Sequence, residues 1–410
     1  MDKDKSLNEL LAMQPRRPVT RRELLRRAGI GAGAVSVTAL MAACGVSGEA
    51  ERNQDDEEQN TLTTSEENGV VNFANWPAYI DKSKGTSPTL DQFEKETGIE
   101  VNYKESINDN LSFYATIREP LANDEATQWD IVVLTDWLVG KMIRLGYLEE
   151  LDKSLLPNYE EHLGEIYRDP TYDPGRKYSA PWASGITGIA YNPDLTGREI
   201  TSVNDLFDPQ YKGKVGMFTE MRDTMHLTML SFGVAPEDAT TEDARKAQEK
   251  LLQQRDQGIV RQYYGNDYVQ PLAQGDLALC IAWSGDVLGK TLGANSPIRF
   301  VVPEEGGMLW TDNMLIPENA ENPIDAHKMI DFVYEPKIAA QMCAWINYIP
   351  PVPEAREIML SANDSYTRQV AKSPLVFPTP EMEANVYSYK NLSDEEEAEW
   401  NDLFNEVLQG

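Results

Sequence analysis

From residue 70 onward the chain alternates short apolar runs with amphipathic stretches, and the two patterns follow each other in a regular order. VVNFAN (70–75) and IEVNY (99–103) read as strands. Between them Leu90, Phe93 and Thr97 recur at helical spacing ahead of Gly98, which predicts a short helix closed by that glycine. A second helix is expected over 109–122, ending near Pro120. WDIVVLT (129–135) holds a continuous apolar run of strand length between polar neighbours, the pattern of a strand buried on both faces of a parallel sheet. A helix over 141–145 stops at Gly146. This β-α-β-α-β order predicts an α/β layer architecture.

A second set of elements is expected after the Pro- and Gly-rich stretch 169–185. ITGIAYN and KVGMF read as strands, and 222–232 as a helix with Met225, Met229 and Phe232 on one face. Residues 241–256 predict a charged amphipathic helix, LALCIAW and IRFVVP buried strands, and MLWTDNMLIP one more strand. Helices are expected near 323–334, 337–346, 353–361 and 393–408. Two α/β units joined by chain crossings near 186–190, 311–315 and 356–360 fit this order, and no internal repeat is visible.

Composition narrows the class. The 410 residues are 41% apolar with a mean hydropathy of −0.48, enough for real cores and too little for a polytopic membrane protein. The net charge of −30 repels phosphate backbones and argues against nucleic-acid binding, while it gathers cations. The first 43 residues depart from this, with eight basic side chains against four acids. Arg21 and Arg22, followed by Leu24 and Leu25, resemble a twin-arginine export signal, and Leu40-Met41-Ala42-Ala43-Cys44 resembles a bacterial lipobox that would lipidate Cys44. An ordinary cleaved signal or a basic amphipathic arm are the alternatives for 1–43. Residues 44–69, polar, acidic and free of aromatics, are expected to be a disordered tether.

Enzyme motifs do not emerge from the rest. Gly285 and Gly289-Lys290-Thr291 are separated by three residues where a phosphate loop needs four. His162, His226 and His327 are scattered, and Cys280 and Cys343 lie in apolar runs, so no zinc site, other metal site or cofactor is expected. Glu220 and Asp223, at i and i+3 ahead of an apolar helix, are either an acid/base pair or partners of the helix N-terminus. The aromatics carry more information. Trp76, Tyr79, Trp137, Trp283, Trp310 and Tyr348 all fall at the ends of predicted elements, where ligand crevices open in α/β sheets, with Asp286 after Trp283 and Asp312 after Trp310. Aromatic walls dotted with carboxylates suit a slender organic cation.

The motifs N-W-x-x-Y at 75–79, F-E-K-E-T-G-I at 93–99, W-D-I-V-V at 129–133, K-M at 141–142, Y-K-G at 211–213, A-W-S-G-D at 282–286, E-G-G-M-L-W-T-D at 305–312 and I-P-E-N-A at 316–320 keep their order along the chain. Through them, residues from about 70 to 400 resemble the periplasmic spermidine/putrescine-binding proteins of ABC importers. The resemblance implies a two-lobed periplasmic binding protein fold with an interlobe ligand cleft and hinge crossings, lobe 1 comprising 70–187 and 313–357 and lobe 2 comprising 188–312 and 358–410. It implies a binding protein that is not an enzyme, captures a polyamine, and delivers it to permease subunits. It would act outside the cytoplasm, in the periplasm or at the cell surface, as a monomer held to the membrane by a lipid anchor.

Carried over by motif, the resemblance implies that Trp76 and Tyr79 form one cleft wall beside Thr135 and Trp137. Asp223 and Glu220 match acidic positions at the start of a second-lobe helix. Trp283 and Asp286 match the W-x-G-D form of putrescine-type members, Trp310 and Asp312 the aromatic and amine-binding acid of the late strand, and Tyr348 a tyrosine after a connecting helix. Pro77 and Ala78 replace the hydroxyl or acid usual in the family, and the glutamine found near the C-terminus of spermidine-type members has Tyr389 as its nearest counterpart. Tyr263 and Tyr264 leave a ferric-ion binder open as an alternative, Glu220 with Asp223 a secreted hydrolase, and a purely structural surface lipoprotein is the third.

Overall fold

The computed structural model describes residues 67–291 and 296–409. The expected export signal, Cys44 and the expected tether up to residue 66 lie outside the described residues.

Among the described residues ten strands form one mixed sheet: β1 (Val70–Asn75), β2 (Glu100–Glu105), β3 (Ile131–Thr135), β4 (Ser179–Tyr191), β5 (Val215–Phe218), β6 (Val260–Tyr264), β7 (Leu279–Trp283), β8 (Arg299–Val301), β9 (Gly307–Leu315) and β10 (Val386–Tyr387). Their order is β2-β1-β3-β9-β4-β7-β5-β6, with β8 on β4 and β10 on β9. Two parallel groups flank an antiparallel centre. β1 runs parallel to β2 and β3, and β5 parallel to β6 and β7, while β9 is antiparallel to both β3 and β4.

Helices follow most of the parallel strands: α1 (Pro88–Thr97), α2 (Asn110–Ala122), α3 (Asp136–Leu145), α4 (Met221–Leu230), α5 (Thr241–Asp256) and α6 (Ser284–Thr291); α7 (Pro323–Val333), α8 (Pro336–Ile346), α9 (Ala355–Leu360) and α10 (Asp394–Leu408) come later. Local chemistry sets several ends. Ser87 accepts from the Leu90 amide and Pro88 opens α1, which Gly98 closes at φ 76°. Thr240 and Asp243 form a reciprocal capping box at the start of α5, so the expected span 241–256 is matched.

The apolar residues gather in two regions, and the α/β fold expected from the sequence is borne out. Val71, Phe73, Phe93, Val133, Trp182, Met314 and Ile330 lie in a core on the β1–β3 side, extended by Ile117, Leu134 and Leu138. Met217, Met225, Leu251, Leu279, Ile281, Trp400 and Phe404 lie in another on the β5–β7 side. β4 and β9 pair from Ser179 with Leu315 to Thr187 with Met308 and run between the two core regions.

The structure differs from the sequence reading in ways that long-range packing explains. All five residues of β3 are buried, yet only one neighbour is parallel, because β9 returns from the second lobe antiparallel beside it. β4 begins at Ser179, inside the Pro- and Gly-rich stretch expected to separate the two sets, and all thirteen of its residues are buried. Pro120 lies within α2, whose last turn runs two residues past it. Phe232 lies beyond the end of α4 and is exposed, and IRFVVP supplies only the three-residue, partly exposed β8. Met359, Val370 and Val376 pack into the first core, although the expected division puts 358–410 in lobe 2. Leu392 packs into the second core. Residues 68 and 69, expected to belong to the tether, donate their backbone N–H groups to Asp325 at 2.9 and 2.8 Å.

Candidate functional site

The C-terminal ends of β1, β3, β5 and β7 open onto one cavity of about 350 Å³ between the lobes, the position where open α/β sheets place ligands. Trp76 and Tyr79 follow β1, Thr135 ends β3 and Trp137 lies in the first turn of α3, Glu220 and Asp223 stand at the start of α4, and Trp283 and Asp286 join β7 to α6. Trp310 and Asp312, two apart on β9, share one face of the strand. Tyr348 completes the set after α8. All eleven residues singled out from the sequence line this one cavity.

Three aspartates hold the inner polar contacts, and each is gripped by two neutral donors. Asp312 accepts from the Tyr79 hydroxyl at 2.9 Å and the Thr135 hydroxyl at 2.7 Å. Asp223 accepts from the Tyr389 hydroxyl at 2.5 Å and the Trp283 indole N–H at 3.1 Å. Asp286 accepts from the Tyr348 and Tyr268 hydroxyls, both at 3.0 Å. Neutral donors fix Asp312 and Asp223 without cancelling their charge, and no Lys, Arg or His is among the described residues that line the cavity.

That charge is costly without a counter-ion. Burial pushes Asp312 up to about 6, against the lowering effect of its Thr135 and Tyr79 bonds, and the Asp223 charge adds to the rise. Asp223 is raised by burial, opposed by its Tyr389, Thr187 and Trp283 contacts. Glu220 is raised to about 8 by burial and by the charges of Asp109 and Asp223. Behind Asp312, Asp136 accepts from the backbone N–H groups of Thr311 and Trp137 and is raised to about 7, burial leading. A group of carboxylates held short of full ionisation by desolvation is stabilised when a cation enters.

The walls are aromatic. Tyr79 and Tyr348 meet edge to face at 5.6 Å, and the Trp310 and Tyr348 rings are 5.3 Å apart. The Trp310 indole N–H donates to Thr187 at 3.1 Å, and that of Trp76 to the Val133 carbonyl at 3.0 Å, so both rings are held. Gly285 lets Tyr348 lie against the start of α6, since a Cβ there would fall 2.6 Å from the ring. Trp137 has the Arg222 guanidinium 5.0 Å from its ring centre. Arg222 is itself buried and pairs with Glu397, which also takes Lys141.

Some residues of the site had no signal of their own in the sequence. Tyr268 and Asp136 act from behind the wall, and Asn108, Asp109, Asn110, Asn266 and Gln270 reach it from loops and a helix start. Tyr389, noted only as the nearest counterpart of a family glutamine, bonds Asp223. Tyr263 and Tyr264 are neighbours on a strand and face opposite ways: Tyr264 lines the cavity, whereas Tyr263 packs on Phe404 with its hydroxyl buried and unpartnered. They do not form a joint metal-binding pair, and among the described residues no group of three or more His, Cys, Asp or Glu is placed to hold a metal ion. Glu220 caps α4 by accepting from the Arg222 amide, while Asp223 turns to Tyr389 and Trp283.

Comparison with known proteins places this geometry in a family. The chain is 28% identical over 360 residues to the spermidine/putrescine-binding periplasmic protein 1 of Haemophilus influenzae, covering 87% of this chain and 92% of that one. It is 30% identical over 294 residues to the spermidine/putrescine-binding periplasmic protein of Salmonella typhimurium, covering 72% and 80%. A solved structure of a putative spermidine/putrescine ABC transporter from Listeria monocytogenes superposes with a TM-score of 0.73 at 29% identity, over 83% of this chain and 98% of that one. Structural neighbours of this kind are two-lobed periplasmic binding proteins. Residues 89–377 match the family described as bacterial extracellular solute-binding protein, and the chain belongs to that family.

Proposed function

We propose that this protein is the substrate-binding component of an ABC importer, taking up a polyamine such as putrescine or spermidine and handing it to the membrane permease. One observation supports this above the others: three aspartates, Asp223 and Asp312 buried and Asp286 partly buried, are each oriented by neutral donors within one aromatic-walled cavity. A polyamine carries a positive charge at each separated nitrogen and methylenes between them. Its ammonium groups need charge-assisted hydrogen bonds, and its methylenes need apolar walls. The names of the relatives agree with this reading. Thermal unfolding with diamines, triamines and amino acids tests it. The melting temperature is expected to rise with polyamines and to stay put with neutral amino acids, and the reverse selectivity would contradict the proposal.

The same reading includes export through the twin-arginine signal and anchoring through lipidated Cys44. Among the described residues no helix is long and apolar enough to cross a membrane. Cys44→Ser is expected to release the protein from the membrane fraction, and a variant that stayed there would contradict the anchor.

A further inference from the structure

Tyr268 stands behind the cavity wall. It is fully buried and is absent from the residues lining the cavity, yet its hydroxyl meets two groups that do line it. The hydroxyl donates to Asp286 Oδ2 at 3.0 Å and accepts the backbone N–H of Trp283, also at 3.0 Å. The ring is held edge-on by Phe218 at 5.1 Å and by Trp283 at 5.9 Å. Gly265, Asn266, Val269 and Gln270 on either side of it line the cavity, so the tyrosine roots a stretch of wall while reaching behind it to the acid.

The other Asp286 oxygen has a matching partner. Tyr348, from the first lobe, donates to Asp286 Oδ1 at 3.0 Å. Tyr268, from the second, belongs to the core around Met217 and Leu279. Each carboxylate oxygen is thus fixed by a phenol, one from each lobe.

We infer that Tyr268 is a positioning residue: it aims the Asp286 carboxylate and the end of β7 for a bound ammonium group without touching the ligand. The inference rests on the polyamine reading of the cavity. A phenol suits the task because it orients the carboxylate without bringing a charge of its own. Burial, with the charges of Asp286 and Tyr348, raises the Tyr268 hydroxyl well above its ordinary range and keeps it a donor. The bond to the Trp283 amide extends its reach, since the Trp283 indole in turn holds Asp223 at 3.1 Å.

A double-mutant cycle on the mature protein separates positioning from mere structural support. Tyr268→Phe removes one oxygen, and putrescine and spermidine are the probes in calorimetry. Binding is expected to weaken about tenfold when Asp286 is present. In the Asp286→Asn background the same change is expected to add little. Equal losses in both backgrounds, or no loss in either, would overturn the inference.

A second measurement needs neither a ligand nor a Tyr268→Phe variant that folds. 3-Fluorotyrosine placed at position 268 alone keeps the ring and both bonds, and its fluorine resonance is expected to move when Asp286 becomes Asn. An unmoved resonance would overturn the Tyr268–Asp286 link. If the parent protein bound no polyamine the transport reading would fail, while the fluorine measurement would still decide whether Tyr268 holds Asp286.

Discussion

Gly185 lies directly against the indole of Trp310: a Cβ built at 185 would come within 2.3 Å of the Trp310 ring. The two residues face each other in the β4–β9 register, so a strand that joins the lobes sets the place of a cavity wall. Gly185→Ala must push the indole off its Thr187 bond or bend the strand, at a cost of about 1–3 kcal/mol. A lower melting temperature and weaker ligand binding are expected together, the first read by circular dichroism and the second by calorimetry. A variant equal to the parent in both would show that the wall is not held in this way.

The aspartates should matter individually. Hydrogen bonds to charged groups contribute on the order of 1.5–3 kcal/mol each, so Asp312→Asn and Asp286→Asn, which keep shape and delete charge, should each weaken polyamine binding by roughly tenfold to a hundredfold. Both variants are expected to fold, and Asp312→Asn to gain stability without ligand, because it removes a buried charge. Parent-like affinity in both would contradict their role.

Binding should depend on pH in a defined direction. Asp312, Asp136 and Glu220 are raised to about 6, 7 and 8, so each holds its proton to higher pH in the ligand-free fold than in the unfolded chain. The stability these three groups contribute is therefore lost as pH rises from about 4 to about 8. A cation requires the ionised forms, so affinity should rise over the same window, with protons released on binding below about pH 7. Calorimetry in buffers of different ionisation enthalpy reads both effects, and affinity that increased on acidification would oppose the account.

Glu397 makes a separate prediction about stability. It is buried between Arg222, at 3.2 Å on the same lobe, and Lys141, at 2.6 Å from α3 on the other. Glu397→Gln leaves the fully buried Arg222 without its counter-charge and should cost about 3–5 kcal/mol. Replacing the pair together, Arg222→Met with Glu397→Leu, should recover much of that loss in denaturant unfolding.

What the sequence discloses follows from how local each signal is. The apolar run of β3, the capping box of α5 and the glycine stop of α1 are written in neighbouring residues, and each element stands where that local pattern puts it. The eleven lining residues are legible because acids and aromatics sit at the ends of strands, and motif resemblance marks them. β6, with the polar sequence VRQYY, offers no apolar run to detect. The antiparallel placement of β9 beside β3, and the grip of Tyr268 and Tyr389 on Asp286 and Asp223, depend on the folded arrangement of segments separate in the chain. No spacing rule could supply them. Trp137 is expected from the sequence simply as a wall, and only the fold shows the Arg222 guanidinium over its ring.

The central claim is that the cavity between the lobes is a site for a polyamine. Calorimetric titration of the mature protein with putrescine and with spermidine, near pH 8 where Asp312 is largely ionised, tests it most directly. The account predicts saturable binding of at least one of them at one ligand per chain, with affinity lost on replacing Asp312 and Asp286 together by Asn. Absence of binding by either amine, or binding untouched by that double replacement, would contradict it.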